Sequence, residues 1–203
     1  MTNSLIMLDT LLPLALFAFV SSITPGPNNI MLTSSGILHG FARSIPHMLG
    51  ITFGFGVLLA LCAAGVGKLV LAVPALHLLL KVAGSSYLVY LAWQLRSMAF
   101  MQGDGDIARP MSAFNAALFQ FANPKAWVMA ITGASAFLPV VQPLWLSIAV
   151  FCMVFCLVNL PCISLWAGTG AVLRHYLAQP KWQRLFCAVM VGLTLYSAVS
   201  IWL

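Results

Sequence analysis

From Leu144 to Val172 the chain reads "LWLSIAVFCMVFCLVNLPCISLWAGTGAV", without one charged side chain. About 20 apolar residues suffice for a helix to cross a bilayer. Lipid offers no hydrogen-bond partners to backbone, so such a run must be helical or lie inside protein. Five further apolar runs follow, three of them with a single basic residue, and the six lie at 10–37, 46–67, 72–95, 112–138, 144–172 and 183–203. Charged residues make up 6% of the 203, too few to coat a water-facing surface, where soluble domains carry roughly 25%. The expected fold class is an all-α polytopic membrane protein with six transmembrane helices.

The few charges point the same way. Nine Lys and Arg against three Asp give a net +6. No basic patch is interleaved with aromatics, so nucleic acid is not an expected partner. Arg43, Arg96, Arg109, Arg174, Lys181 and Arg184 fall in the first, third and fifth connections, whereas the second holds Lys68 and the fourth, "LPVVQP", holds none. The positive-inside bias then puts the odd connections in the cytoplasm and both termini in the periplasm. The first ten residues carry Asp9 and no Lys or Arg, unlike a secretory leader, so the first run is expected to stay as a membrane helix.

Three spans on each side of "RSMAFMQGDGDIARP" suggest two halves: residues 1–97, a cytoplasmic linker 98–111, and residues 112–203. Halves of three spans each sit in opposite orientations, as two inverted three-helix repeats. A shift of 99 residues brings Ala18 onto Ala117, Pro25 onto Pro124 and Thr33 onto Thr132. The aligned prolines interrupt spans 1 and 4. Paired breaks in corresponding spans are the best pointer in a sequence to a transport site.

The first break reads "TPGPNN". Pro25 and Pro27 lack an N–H, which deprives the carbonyls of Ser21 and Ile23 of helical partners. The helix should unwind over 24–27 and restart near Asn28, presenting free N–H groups that favour an anion. Asn28 and Asn29 add amides beside Pro25, Gly26 and Pro27. The second break reads "ANPKAW", with Asn123 suited to an N-cap, Pro124 to the first helical position, and Lys125 in the first turn. Lysine opposes the helix dipole there and suits the grip of a carboxylate.

Other buried polar residues are candidates of the same kind. Lys81 lies within span 3 and either lines the path or snorkels outward; Gly84 and Ser85 share its side, and Tyr87 offers a hydroxyl or ring face. Asn159 precedes Pro161 near the middle of span 5, lining the path or bonding a neighbouring helix. Gly50 and Gly54 form a packing pair. His39, His47, His77 and His175 read as interfacial, Trp166 as part of an aromatic belt, and Trp127 as either pocket wall or core. The five cysteines lie in apolar runs and read as small packing residues. No metal-ligand cluster or catalytic constellation stands out, so neither cofactor, metal nor enzymatic activity is expected.

The stretches "SSITPGPNNIMLTSSGILHGF", "LKVAGSSYLVYLAW" and "FANPKAW" together resemble the LysE/RhtB family of amino-acid exporters, the first most like its cysteine/O-acetylserine branch. The resemblance implies a six-helix bacterial inner-membrane exporter that moves small amino acids or derivatives outward with the proton gradient. It places the family's motif positions on Pro25, Gly26, Pro27, Asn28 and Asn29, on Lys81, Gly84 and Tyr87, and on Asn123, Pro124 and Lys125.

The residues narrow the substrate. Asp9, Asp104 and Asp106 are the acidic residues, and none is mid-membrane, so a cationic side chain would go unpaired. A small neutral amino acid is expected, its carboxylate at the breaks and its ammonium on the carbonyls freed at Ser21 and Ile23, helped by Asn29 or Tyr87. Protons are the expected coupling ion, with Lys81, Lys125 or His77 as exchange groups. A homodimer is open. The competing readings are a membrane thiol–disulfide electron carrier, which would need cysteines at the breaks, and a passive amino-acid channel.

Overall fold

The computed structural model describes residues 2–97, 110–176, 179–200 and 202. They form an all-α bundle of nine helices: α1 Thr2–Ile23, α2 Pro27–His39, α3 Phe41–Ala63, α4 Val66–Ala72, α5 Pro74–Ser97, α6 Ala113–Ala122, α7 Pro124–Phe137, α8 Leu144–Tyr176 and α9 Pro180–Ser200. The linker at 98–111, with Asp104, Asp106 and Arg109, lies outside the described residues except for its last two positions.

Among the described residues, Phe41–Ala63 and Leu144–Arg174 are each long and apolar enough to cross a membrane, and Thr10–Ile23 with Pro27–His39, bent by 55°, form a third such span. Among the described residues, no other helix is long and apolar enough by the same measure. Asn123 divides the run 112–138 into α6 and α7, of 10 and 14 residues, each too short alone at about 1.5 Å per residue. The run 72–95 is carried by α5 with the short α4 before it.

Large and small side chains alternate in function. Phe17, Phe55, Phe151 and Phe155, from α1, α3 and α8, meet edge to face around Leu14, Leu58, Leu59, Met129 and Ala130. Elsewhere backbones touch because side chains are absent. A Cβ on Gly36 of α2 would strike the Ala167 backbone of α8, and one on Gly170 of α8 would strike Thr33 of α2. Gly50 and Gly54 of α3 likewise face the backbones of Ala113 and Ala117 on α6. Small residues at these crossings give the close contact that drives helix association in lipid, where hydrophobicity alone does not.

One expectation changes and one open reading is decided. His47, read as interfacial, is 2% exposed, and neither ring nitrogen has a hydrogen-bond partner. Its place on α3, two turns before Gly54, lies on the face that packs inward. Trp127 belongs to the core, where it packs on the aromatic cluster and donates from Nε1 to the carbonyl of Phe121 at 2.9 Å. The side chains of His77 and His175 lie outside those described.

Candidate functional site

The two interruptions, about a hundred residues apart in sequence, meet. α1 ends at Ile23, and α2 starts at Pro27 with Gly26 as its N-cap, in extended backbone (φ −175°, ψ 177°). Any residue adopts that conformation, so glycine is present for space. A Cβ on Gly26 would press on the Lys125 side chain, 2.6 Å from Cδ. Lys125 uses the vacancy to lay its ammonium against the unwound segment. Nζ donates to the carbonyls of Thr24 (2.7 Å) and Pro25 (3.1 Å) and to Thr24 Oγ1 (3.0 Å). All three ammonium hydrogens are thereby engaged, and every acceptor is neutral.

A second pair of bonds crosses the same junction. Asn28 Nδ2 donates to Gln120 Oε1 at 2.8 Å, and Gln120 Nε2 donates back to Asn28 Oδ1 at 3.1 Å. Gln120 is fully buried on α6 and also donates to the carbonyl of Ala116. Asn29 folds back on the break, with Nδ2 donating to the carbonyls of Ser22 (2.9 Å) and Thr24 (2.7 Å).

The second break is internally satisfied. Asn123 caps α7, its side chain accepting from Lys125 N at 3.1 Å, while its carbonyl accepts from Ala126 and Trp127 N–H. The start of α7 thus keeps no early donor for an anion. The start of α2 differs. Pro27 has no N–H, Gly26 offers no side-chain cap, and Ile30 is the first to bond back, to the Gly26 carbonyl. The N–H groups of Asn28 and Asn29 remain free.

The carbonyls expected to cradle an ammonium are already served. That of Ser21 accepts from Thr24 Oγ1 at 3.0 Å, and that of Ile23 accepts from Trp166 Nε1 at 3.1 Å. Trp166 therefore anchors the break from α8 rather than sitting in an interfacial belt. An indole N–H left unpaired inside protein is costly, and the break supplies its acceptor.

These residues enclose a cleft of about 310 Å³, part of it open, lined by Ser21, Ser22, Gly26, Pro27, Asn28, Asn29, Asn123, Lys125 and Asn159, with Phe55, Met129 and Ile163 as apolar wall. The space in it that water can occupy is about 20 Å³, room for about one molecule, so an amino acid enters only once the cleft widens. Asn159 reaches in from α8, its Nδ2 donating to Ser22 Oγ at 3.0 Å. The candidates Gly26, Pro27, Asn28, Asn29, Asn123, Lys125 and Asn159 are thus brought together. Pro25 joins them through its carbonyl, and Pro124 lies behind the cleft with its ring against Gly84 of α5.

Lys81 and Tyr87 are not brought to the cleft. Lys81 Nζ lies 5.8 Å above the Trp202 ring, whose Nε1 donates to Ser85. Tyr87 packs on Phe119 with ring centres 4.6 Å apart, its hydroxyl 4.0 Å from Met31 Sδ. Ser22, Gln120 and Trp166 were missed from sequence. Gln120 carried a readable signal, being an amide inside an apolar helix one turn before the second break.

The cleft lies where a broken membrane-length helix pair, α1 and α2, meets the junction of α6 and α7, and it is walled by backbone dipoles and amides. A family profile described as LysE type translocator matches residues 19–200, and the chain belongs to this LysE/RhtB family of transporters. It stands close to the cysteine/O-acetylserine efflux branch. Proteins named cysteine/O-acetylserine efflux protein from Escherichia coli (strain K12) and Shigella sonnei (strain Ss046) are each 32% identical over 186 residues, covering 91% of this chain and 93% of theirs. No solved structure matches.

Proposed function

We propose that this chain is a secondary active exporter of small neutral amino acids or derivatives, of the cysteine/O-acetylserine kind, in the bacterial inner membrane. The observation that carries the reading is the meeting of the breaks, with Lys125 bonded to Thr24 and Pro25 across the cleft. Gly26, Pro27, Asn28, Asn29, Asn123, Lys125 and Asn159 form the substrate site. Asn28 and Asn29 offer the carboxylate their free N–H groups, and Lys125 supplies positive charge once drawn from the break carbonyls. No acidic side chain lines the cleft, which favours a neutral side chain on the substrate. The relatives' names support the same substrate class.

The reading takes six spans in two inverted repeats, 1–97 and 112–203, with both termini periplasmic and one half rocking on the other about the breaks. Helix pairings support it. α3 packs on α8, and α5 on α9, as each helix would on its own counterpart. α2 with α8 is matched by α7 with α3, and α3 with α6 by α8 with α1. The shift of 99 residues that aligns the prolines also puts Gly26 opposite Lys125, and these two are in contact. Proton coupling is part of the proposal, with Lys125 as the basic group already in the cleft.

Counterflow in proteoliposomes tests the function. Vesicles preloaded with unlabelled cysteine, O-acetylserine, threonine, leucine or lysine are given the matching label, with Asn29→Ala and Lys125→Ala beside the parent. Saturable exchange of a neutral amino acid, lost in both variants, is expected. Efficient exchange of lysine, or exchange that survives both changes, refutes the site.

A further inference from the structure

The donors and acceptors around the cleft can be counted. Lys125 has spent its three ammonium hydrogens, Asn29 both of its amide hydrogens, and Asn28 is closed in its reciprocal pair with Gln120. On the donor side, the main-chain N–H groups of Gly26, Asn28 and Asn29 remain, the last two at the start of the 13-residue α2. On the acceptor side stands Asn159 Oδ1. Asn159 is 5% exposed, and its Oδ1 is, among the described residues, the one buried side-chain acceptor of the cleft with no partner. Nδ2 donates to Ser22 Oγ at 3.0 Å, which leaves Oδ1 on the other side of the amide. An acceptor sealed from water without a donor is unfavourable. A ligand that brings a donor removes the penalty, and one that lacks it leaves the penalty in place.

Free donors and an unpaired acceptor on the same cleft match a zwitterion. We propose that Asn159, oriented by Ser22, is the specificity residue that accepts a hydrogen bond from the substrate ammonium while the Asn28 and Asn29 N–H groups hold the carboxylate. The cleft then selects an α-amino acid over the same molecule without its amino group. This rests on the proposed export function and deepens it: Asn159 discriminates among small acids, and Ser22 is a positioning residue that acts through it. Hydrophobic contact with Phe55, Met129 and Ile163 supplies no comparable discrimination, because the deaminated molecule keeps the same side chain.

The test is inhibition of labelled-cysteine counterflow, under reducing conditions, by cysteine or by 3-mercaptopropionate, which is cysteine without its amino group. In the parent, 3-mercaptopropionate is expected to be about 10- to 100-fold weaker, the worth of a hydrogen bond to a charged group. Asn159→Leu should weaken cysteine by about that factor, leave 3-mercaptopropionate near its parent value, and bring the ratio towards one. Ser22→Ala, a smaller change that keeps the amide but frees it to turn, should lower the ratio part of the way. It also serves if Asn159→Leu does not fold. A ratio unchanged in Ser22→Ala and Asn159→Leu, or an equal loss for both ligands, overturns the assignment and leaves Asn159 a packing residue. If the parent exchanges no amino acid at all, the export function itself falls, and this inference falls with it. If the parent exchanges normally and only the ratio fails to move, the inference alone is wrong.

Discussion

Lys125→Met removes the ammonium while keeping a side chain of similar length. Three bonds are lost, to the carbonyls of Thr24 and Pro25 and to Thr24 Oγ1. Hydrogen bonds to charged groups are worth about 1.5–3 kcal/mol each, which sets a gross ceiling near 4.5–9 kcal/mol. Two effects reduce it. Holding an ammonium without a carboxylate partner carries a desolvation cost that Met does not have. The stranded acceptors are also partly served, since the Thr24 carbonyl keeps Asn29. The net weakening of the junction between the breaks is then about 2–3 kcal/mol, or roughly 30- to 150-fold in the equilibrium that opens it. A single cysteine replacing Ser21, in a background without the native cysteines, reports that opening through its modification rate by a charged methanethiosulfonate reagent. Ser21 lines the cleft, so the rate should rise by roughly the same factor. A change under about twofold would refute the reasoning, because the three bonds would then contribute nothing to closure.

Gly26→Ala should act in the same direction more weakly, since its Cβ displaces the flexible end of Lys125 rather than removing the charge; the same labelling rate checks it. Gly36→Ala forces a methyl group onto the Ala167 backbone and should destabilise by about 1–3 kcal/mol, read as earlier thermal unfolding in detergent. His47→Leu trades two unpartnered ring nitrogens for an apolar side chain, and should leave thermal stability unchanged or raise it by about 1–2 kcal/mol. Replacing Cys62, Cys152, Cys156, Cys162 and Cys187 together with Ala or Ser should preserve counterflow, because all five are free and none lines the cleft. Loss of exchange on that replacement would favour the thiol–disulfide alternative.

Much of this protein was legible before any coordinates. Apolar runs free of charge compel helices, because lipid provides nothing else for backbone groups to bond. Two prolines about a glycine compel an interruption, because they delete donors wherever they stand. Asn123 before Pro124 reads as a cap for the same local reason. Those properties belong to the residues themselves, and packing could not reverse them.

Partnership between distant residues was not legible. Lys125 and Lys81 looked alike as lysines inside apolar runs, yet one lies on the break carbonyls and the other over Trp202. The Ser21 and Ile23 carbonyls were freed as expected, but Thr24 and Trp166 reached them first. Asn159 was ambiguous between helix bonding and lining the cleft, and it does both, one end of its amide on Ser22 and the other unpaired. The sequence by itself determined that the chain is helical, apolar and twice interrupted, since those follow from backbone donors and local side-chain chemistry. Only the tertiary structure decided which donors and acceptors remain unspent, because a hydrogen bond across 137 residues depends on the packing of α1 against α8 and on no pattern within either helix.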